Sequence, residues 1–368
     1  MRAYGIALCL CFPVYAAAPL GIFEDHVDVG TVLHPGSAEY DPANRTYTVS
    51  GSGENMWFAA DAFHFVWKKV SGDVTLTADI AFIGGSGEAH RKAVLMIRQS
   101  LDADSPYADV ARHGDGLTSL QARDEKGVNT TEIQSAMKAP ARVRIARRGD
   151  YFYIWVAAAG EEFQFAGGSM RVPMRDPFYV GIGVCSHNKD AVERAVFSNV
   201  ELTTSAATEA APKLYSTLET VPLSGDRRVV YVTPGRLSAP VWTADGAALV
   251  FQRDSRTERI PPTGGQPEAT DTSEAARDKK SVAGLPSDNF YNCFPHLSPD
   301  GQQIAFLSFS KELSGIPEDK DALLRVLSIK DGKVRVLAKL VGGKGTMDAP
   351  SWSPDGRCVA FVSYQWLR

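Results

Sequence analysis

Three stretches of this chain end one strand on the same tight turn and start another beyond it: VWTADGAALVFQ, HLSPDGQQIAFLS and SWSPDGRCVAFVS. Their aspartates, Asp245, Asp300 and Asp355, are evenly spaced in the sequence. Ser-Pro-Asp-Gly supplies what a type I turn asks for: a short polar residue first, a proline whose φ is already fixed, a second polar residue, then glycine. The apolar run after the last turn, around Val359, Phe361 and Val362, has the length and character of a buried strand. Repeated units of this size bury their faces only by stacking on one another, so the second half of the chain is committed to a row of small sheets.

What precedes the turns repeats as well. Ala239-Pro240-Val241-Trp242 corresponds to Ala349-Pro350-Ser351-Trp352, with Phe294-Pro295-His296-Leu297 as the divergent copy. Two copies are followed by a second hairpin, with Gly264-Gly265 and Asp331-Gly332 at its turn. A turn, a strand, a hairpin and the next turn make one four-stranded blade. The pattern W-S-P-D-G-x-x-V-A-F resembles the WD-like repeat of TolB-type β-propellers over residues 215–368. The resemblance implies structural roles for Trp242, Asp245, Pro299, Asp300, Gly301, Trp352, Pro354, Asp355 and Gly356. It also implies that the last strand is closed by a hairpin from the start of the domain, LETVPLSGDRRVVYVT, with Val229 to Val232 as the pairing segment. About three blades result, against roughly four to eight in a closed ring. The expectation is a propeller shortened by internal loss near residues 270–287, either open or completed by a second copy in a homodimer.

The first half reads differently. Between residues 19 and 204, short alternating segments are separated by Gly, Asp and Ser turns, with no long amphipathic helix. In GDVTLTADIAFI, Val74, Leu76, Ala78, Ile80 and Phe82 face one way while Thr75, Thr77 and Asp79 face the other. Strands at this spacing indicate a β-sandwich. EDHVDVG, KAVLMIRQSLDADSPYA, HGDGLTSLQ, VGIGVCSHN and AVFSNVEL resemble the concanavalin-like jelly-roll domains labelled regulation-of-enolase-like. Such domains occur in extracellular proteins linked to glycans, which makes glycan a candidate partner. TTSAATEAAPK reads as a linker, taken as 205–213, ahead of the repeats at 214–368. The fold class is therefore all-β, a concanavalin-like jelly-roll sandwich followed by a partial TolB-like propeller.

With a net charge of −4 and no basic run, the chain offers nothing to nucleic acid or to an anionic membrane surface. Its first residues, MRAYGIALCLCFPVYAAAPLG, combine an early positive charge, a short apolar run and Ala16-Ala17-Ala18. That is a secretory signal over 1–18, and no later segment is long enough to span a bilayer. The expected location is periplasmic or extracellular. Of five cysteines, Cys185, Cys293 and Cys358 lie beyond the signal, an odd and widely spaced set that suits buried thiols.

Catalysis has no motif to rest on. The E-x-D-x-x-E strand of laminarinase-type jelly rolls is absent, Glu161-Glu162 sit in a turn, and no G-x-S-x-G elbow occurs. The seven histidines show neither H-x-H nor H-E-x-x-H spacing, so no metal or cofactor is expected, although His90, His113 and His187 are free to converge in a folded sandwich. Asp115, in His113-Gly114-Asp115-Gly116, reads either as a tight turn or as a calcium ligand. For binding a sugar, the candidates are Trp57, Arg98, Tyr107, His113, Asp115 and Trp155, which offer ring faces and polar neighbours. The leading expectation is an exported, non-catalytic binding protein whose sandwich contacts glycan and whose propeller contacts an envelope or extracellular protein. The alternatives are a jelly-roll carbohydrate-active enzyme, an envelope scaffold of TolB type, or a truncated remnant.

Overall fold

The computed structural model describes residues 20–204, 211–271, 284–313, 317–348 and 352–367, and these form strands and turns with no helix. The signal at 1–18, residues 205–210 of the linker and residues 272–283 of the polar join lie outside the described residues.

The first half supplies β1 (Asp25–Val29), β2 (Ser37–Asp41), β3 (Thr46–Gly53), β4 (Phe63–Val70) and β5 (Val74–Phe82). There follow β6 (Lys92–Arg98), β7 (Tyr107–His113), β8 (Thr118–Arg123), β9 (Thr131–Gln134) and β10 (Arg142–Arg148). The half ends with β11 (Tyr151–Ala157), β12 (Gln164–Phe165), β13 (Met170–Arg171), β14 (Phe178–Cys185) and β15 (Asn188–Thr204). One sheet runs β1-β4-β14-β6-β7-β8-β9, the other β12-β11-β10-β5-β15-β3-β2. The alternation read in β5 is realised: Val74, Leu76, Ala78 and Ile80 are buried against the first sheet's Leu95, Ile97, Val110, Leu120 and Ile182 in one continuous core. Each fully buried aliphatic side chain of this kind contributes about 1.5–3 kcal/mol. Because side chains alternate, the same strands send Lys92, Val94, Met96 and Arg98, then Tyr107, Asp109, Ala111 and His113, to the opposite face. That outer face is not open to water, since Val94, Met96, Tyr107 and Ala111 pack with Met56, Phe63 and Phe65 in a second cluster.

The second half supplies β16 (Lys213–Pro222), β17 (Arg227–Pro234), β18 (Leu237–Trp242), β19 (Leu249–Arg253), β20 (Arg256–Ile260) and β21 (Glu268–Ala269). Then come β22 (Phe290–Leu297), β23 (Gln303–Ser310), β24 (Lys320–Ser328), β25 (Val334–Gly342) and β26 (Cys358–Leu367). Strands β18 to β21 and β22 to β25 each form a four-stranded antiparallel sheet in chain order. The repeated turns are type I turns closed by a left-handed glycine: Gly246, Gly301 and Gly356 have φ of 71°, 71° and 70°. In all three, the aspartate accepts from the turn's own hydroxyl and from a backbone N–H two residues on, Thr243 and Ala247, Ser298 and Gln302, or Ser353 and Arg357. Two of the x-Pro pairs mark bulges, and Ala349-Pro350 lies outside the described residues. Ala239 and Phe294 take φ of 52° and 54°, where the β18–β19 and β22–β23 registers slip, so each proline sits where the ladder needs no N–H.

The last strand is closed by the expected hairpin but not through the expected segment. β26 pairs antiparallel with β16 along its whole length, from Lys213 opposite Leu367 to Pro222 opposite Cys358. Val229 to Val232 lie one strand further out, on β17. The reason is burial: residues 216–221 of β16 are all buried and suit the central position, whereas β17 is exposed at Arg228 and Pro234 and half-buried at Tyr231 and Val232. β17 then pairs in parallel with β9, Arg227 opposite Ile133, so the sandwich sheet continues through β17, β16 and β26.

Candidate ligand-binding face

The outer face of the first sandwich sheet carries two polar networks, both built by the alternation of β6 to β9. In the first, the side chains of Arg98, Arg123 and Asp61 are all wholly buried. Arg123 grips Asp61 with both terminal nitrogens, at 2.7 and 3.0 Å, and Arg98 approaches the same carboxylate at 3.4 Å. The remaining donors go to backbone carbonyls: Arg98 to Ser100 and Asp102, Arg123 to Phe58, Ser105 and Val128. These bonds tie the segments 56–61 and 100–105 down over the sheet. Tyr107, also buried, donates its hydroxyl to Met56 O and accepts from the Thr130 hydroxyl. Arg98 and Tyr107, two of the sequence candidates, thus spend their polar atoms holding loops.

The second network lies beside it, toward the end of the sheet where β6 begins. Lys92 faces His113 across β6–β7, and Asp109, Gln121 and Glu132 follow one another across β7, β8 and β9. The Lys92 ammonium donates to Asn55 Oδ1, Met56 O and Gln121 Oε1 at 3.2, 2.9 and 3.1 Å. The Gln121 amide nitrogen contacts His113 Nε2 at 3.2 Å and Glu132 Oε2 at 3.3 Å. Asp109 is different, because neither carboxylate oxygen has a hydrogen-bond partner although the residue is wholly buried. Burial drives its pKa well above the usual carboxylate range and drives that of Lys92 down, outweighing their mutual attraction. Burial likewise pushes His113 down to about 2, with the positive charge of Lys92 acting in the same direction.

Trp57, half-buried, roofs this network with its ring centroid 5.4 Å from the Lys92 ammonium, and Phe58 beside it is 64% exposed. Asp115 is exposed on the β7–β8 turn next to His90 and His113. Trp155 is not part of this face: it stands on the outer side of the second sheet against Phe165, which in turn meets Tyr215 of β16. Trp242 and Trp352 are buried in the apolar clusters of the repeats. Pro354 packs against Gly246 and Pro299 against Gly356, turn upon turn. Around the first of these contacts, a shallow depression of about 260 Å³ opens between Asp245 and Asp355, away from the polar networks.

The sequence reading missed Lys92, Asp109, Gln121, Glu132, Asp61 and Arg123. Part of the signal was present: Lys92 and Arg98 in KAVLMIR, Asp109 and His113 in YADVARH, and Ser119, Gln121 and Arg123 in TSLQAR share one parity of their strands, interrupted by the apolar Val94, Met96 and Ala111. A polar outer face was thus legible, but not that loops would bury it.

Fold and site together define an all-β protein, a two-sheet sandwich with one sheet extended by β17, β16 and β26, and two separate four-stranded sheets, carrying a roofed polar face on the sandwich. No family model matches the chain. It is similar to the uncharacterized protein Atu1656 of Agrobacterium fabrum, 33% identical over 130 residues, which is 35% of this chain and 41% of that one. The chain thus spans well under half the length of that relative. Among solved structures, a Saccharomyces cerevisiae protein of unknown function shares 15% identity over 46% of this chain and 93% of its own, with a TM-score of 0.37. A protein assigned as TolB from Agrobacterium tumefaciens shares 15% over 75% and 99%, at a TM-score of 0.21. A GlcNAcα1-4Gal-releasing endo-β-galactosidase from Clostridium perfringens shares 9% over 95% and 94%, at a TM-score of 0.33.

Proposed function

We propose that this is an exported binding protein, periplasmic or extracellular, whose sandwich holds a glycan on the roofed face and whose repeat half contacts a protein partner. The observation that carries the reading is Asp109, a buried carboxyl with no partner, set among Lys92, Gln121 and Glu132 beneath an aromatic roof at Trp57. An unsatisfied buried polar group costs about 1–3 kcal/mol, and a ligand hydroxyl placed there recovers it. Planar polar side chains beneath a ring are what a sugar's hydroxyls and apolar face ask for.

One observation favours an enzyme instead. Asp109 and Glu132 are two strands apart, about 10 Å along the sheet. Burial raises the pKa of Asp109 well above the usual carboxylate range, as a general acid requires. Gel mobility in a panel of neutral and acidic polysaccharides, with reducing ends assayed in parallel, separates the two. The binding reading expects retardation by at least one polysaccharide, weakened about tenfold in Trp57→Ala by loss of ring stacking, and no new reducing ends. Reducing ends that disappear in Asp109→Asn establish the enzyme. Neither retardation nor cleavage across the panel overturns both.

A further inference from the structure

Three turns meet at the end of the first sandwich sheet, and each carries an imidazole. Beyond the Lys92–His113 pair the ladder between β6 and β7 continues irregularly, through Gly114 N to Arg91 O and Asp115 N to Ala89 O. Those bonds lay residues 88–91 against residues 113–116 and set His90 beside His113 and Asp115. The third turn follows β14, whose Cys185 is opposite Lys92. It is pinned by the Ser186 hydroxyl, which donates to Gly53 O and Asn188 O, and it bonds the first turn through Asn188 Nδ2 to Glu88 Oε1. His187 sits at its apex with φ of 58°, its ring 5.6 Å from that of His90.

We infer that His90, His113 and Asp115 form a binding site for a first-row divalent cation of the zinc type. Their ligand atoms all lie within 4.8 Å of one another, and the facing Nδ1 atoms of His90 and His113 are 3.5 Å apart. That separation is long for a hydrogen bond. It is the edge of a tetrahedron around an ion bound at about 2.1 Å, where two such ligands subtend about 110° at the metal. Asp115 spends Oδ1 on Leu117 N, which fixes its carboxylate and leaves Oδ2 for the ion. Two imidazoles and one carboxylate suit zinc and its neighbours over calcium, which takes six to eight oxygens. With the ion on His113 Nδ1, the proton of that ring resides on Nε2, so the Gln121 amide nitrogen that stands 3.2 Å from it has to draw back, held as it is by Lys92 and Glu132. The site is independent of whether the roofed face binds a sugar.

The test uses the full chain without a histidine tag, stripped with chelator. Titration with zinc is followed by calorimetry, and titration with cobalt(II) by its visible ligand-field bands. Expected is one ion per chain with a tetrahedral cobalt spectrum. His90→Ala, an exposed position whose loss leaves the fold intact by circular dichroism, should weaken binding by more than the roughly 10–100-fold that an outer partner is worth. Gln121→Glu, which offers an acceptor both to the His113 Nε2 proton and to the Lys92 ammonium, should raise affinity. Absence of stoichiometric binding in the wild type, or binding that His90→Ala leaves unchanged, overturns the site.

Discussion

Replacing Asp61 by Asn removes one negative charge from a pocket where two guanidinium groups remain. Both carboxylate oxygens are used, Oδ1 by Arg123 at 2.7 Å and Oδ2 by Arg123 at 3.0 Å and Arg98 at 3.4 Å, and all three side chains are wholly buried. At an effective dielectric constant of about 20, a unit pair about 4 Å apart is worth about 4 kcal/mol. Breaking a buried pair by removing one partner costs about 3–5 kcal/mol, so two independent arguments agree. Asn keeps one acceptor but turns an NH₂ group toward a guanidinium. Chemical denaturation should therefore show a loss of about 3–5 kcal/mol. Because Asp61 N also bonds Ala103 O and Arg123 bonds Phe58 O, limited proteolysis should cut the 56–61 and 100–105 segments sooner. The companion Asp61→Leu, Arg98→Met, Arg123→Met removes every charge but leaves the carbonyls of Ser100, Asp102, Phe58, Ser105 and Val128 without their guanidinium donors, so it should recover only part of the loss. A loss below about 1 kcal/mol in Asp61→Asn, the value of a surface pair, refutes the reasoning.

Glu219, wholly buried on β16, binds Arg227 through both oxygens at 2.7 and 2.8 Å and accepts from Ser363 of β26. Glu219→Gln should cost about 3 kcal/mol and raise amide exchange along residues 358–367, as hydrogen-exchange mass spectrometry will show. A Cβ on Gly167 would stand 2.7 Å from Val232 and 2.8 Å from Thr217, at φ of 93°. Gly167→Ala should therefore lower stability by about 1–3 kcal/mol, more than Gly160→Ala, which meets open space at φ of 78° and pays only the backbone strain. His296 bonds Met347 O at 2.7 Å through Nε2, and burial lowers its pKa from 6.5. The unfolded chain protonates it first, so its contribution is present above pH 6.5 and lost as pH falls below; stability measured against pH should be flatter in His296→Gln.

What the sequence made legible was whatever local chemistry decides alone. The S-P-D-G turns, the alternation of β5 and the hairpins at Gly264-Gly265 and Asp331-Gly332 follow from φ preference and period, and they stand where expected. Pairing partners are decided elsewhere. Val229–Val232 is the more apolar run, yet it is the strand of Leu218, between Thr217 and Glu219, that meets β26 and is buried along residues 216–221. Site residues divide the same way. Trp57, His113 and Asp115 belong to one region because β6, β7 and two turns converge there, whereas Trp155, equally aromatic, is carried to the far sheet by the parity of β11. Arg98 and Asp109 both look like ligand contacts in isolation. Only the loops over them show that one is fully bonded and the other has no partner.

The order of the repeats follows from three contacts. Gly246 of the first copy lies on Pro354 of the third, Gly356 of the third lies on Pro299 of the second, and Trp352 Nε1 donates to His296 O of the second at 2.9 Å. The third copy therefore stands between the other two. β26 lies against one edge of the β16–β17 hairpin and β9 of the sandwich against the other, so the sheet that seals the repeats has its outer edge covered by the sandwich. An exposed edge there would template pairing with other chains; the parallel contact of Arg227 and Arg228 with Ile133 and Gln134 removes it.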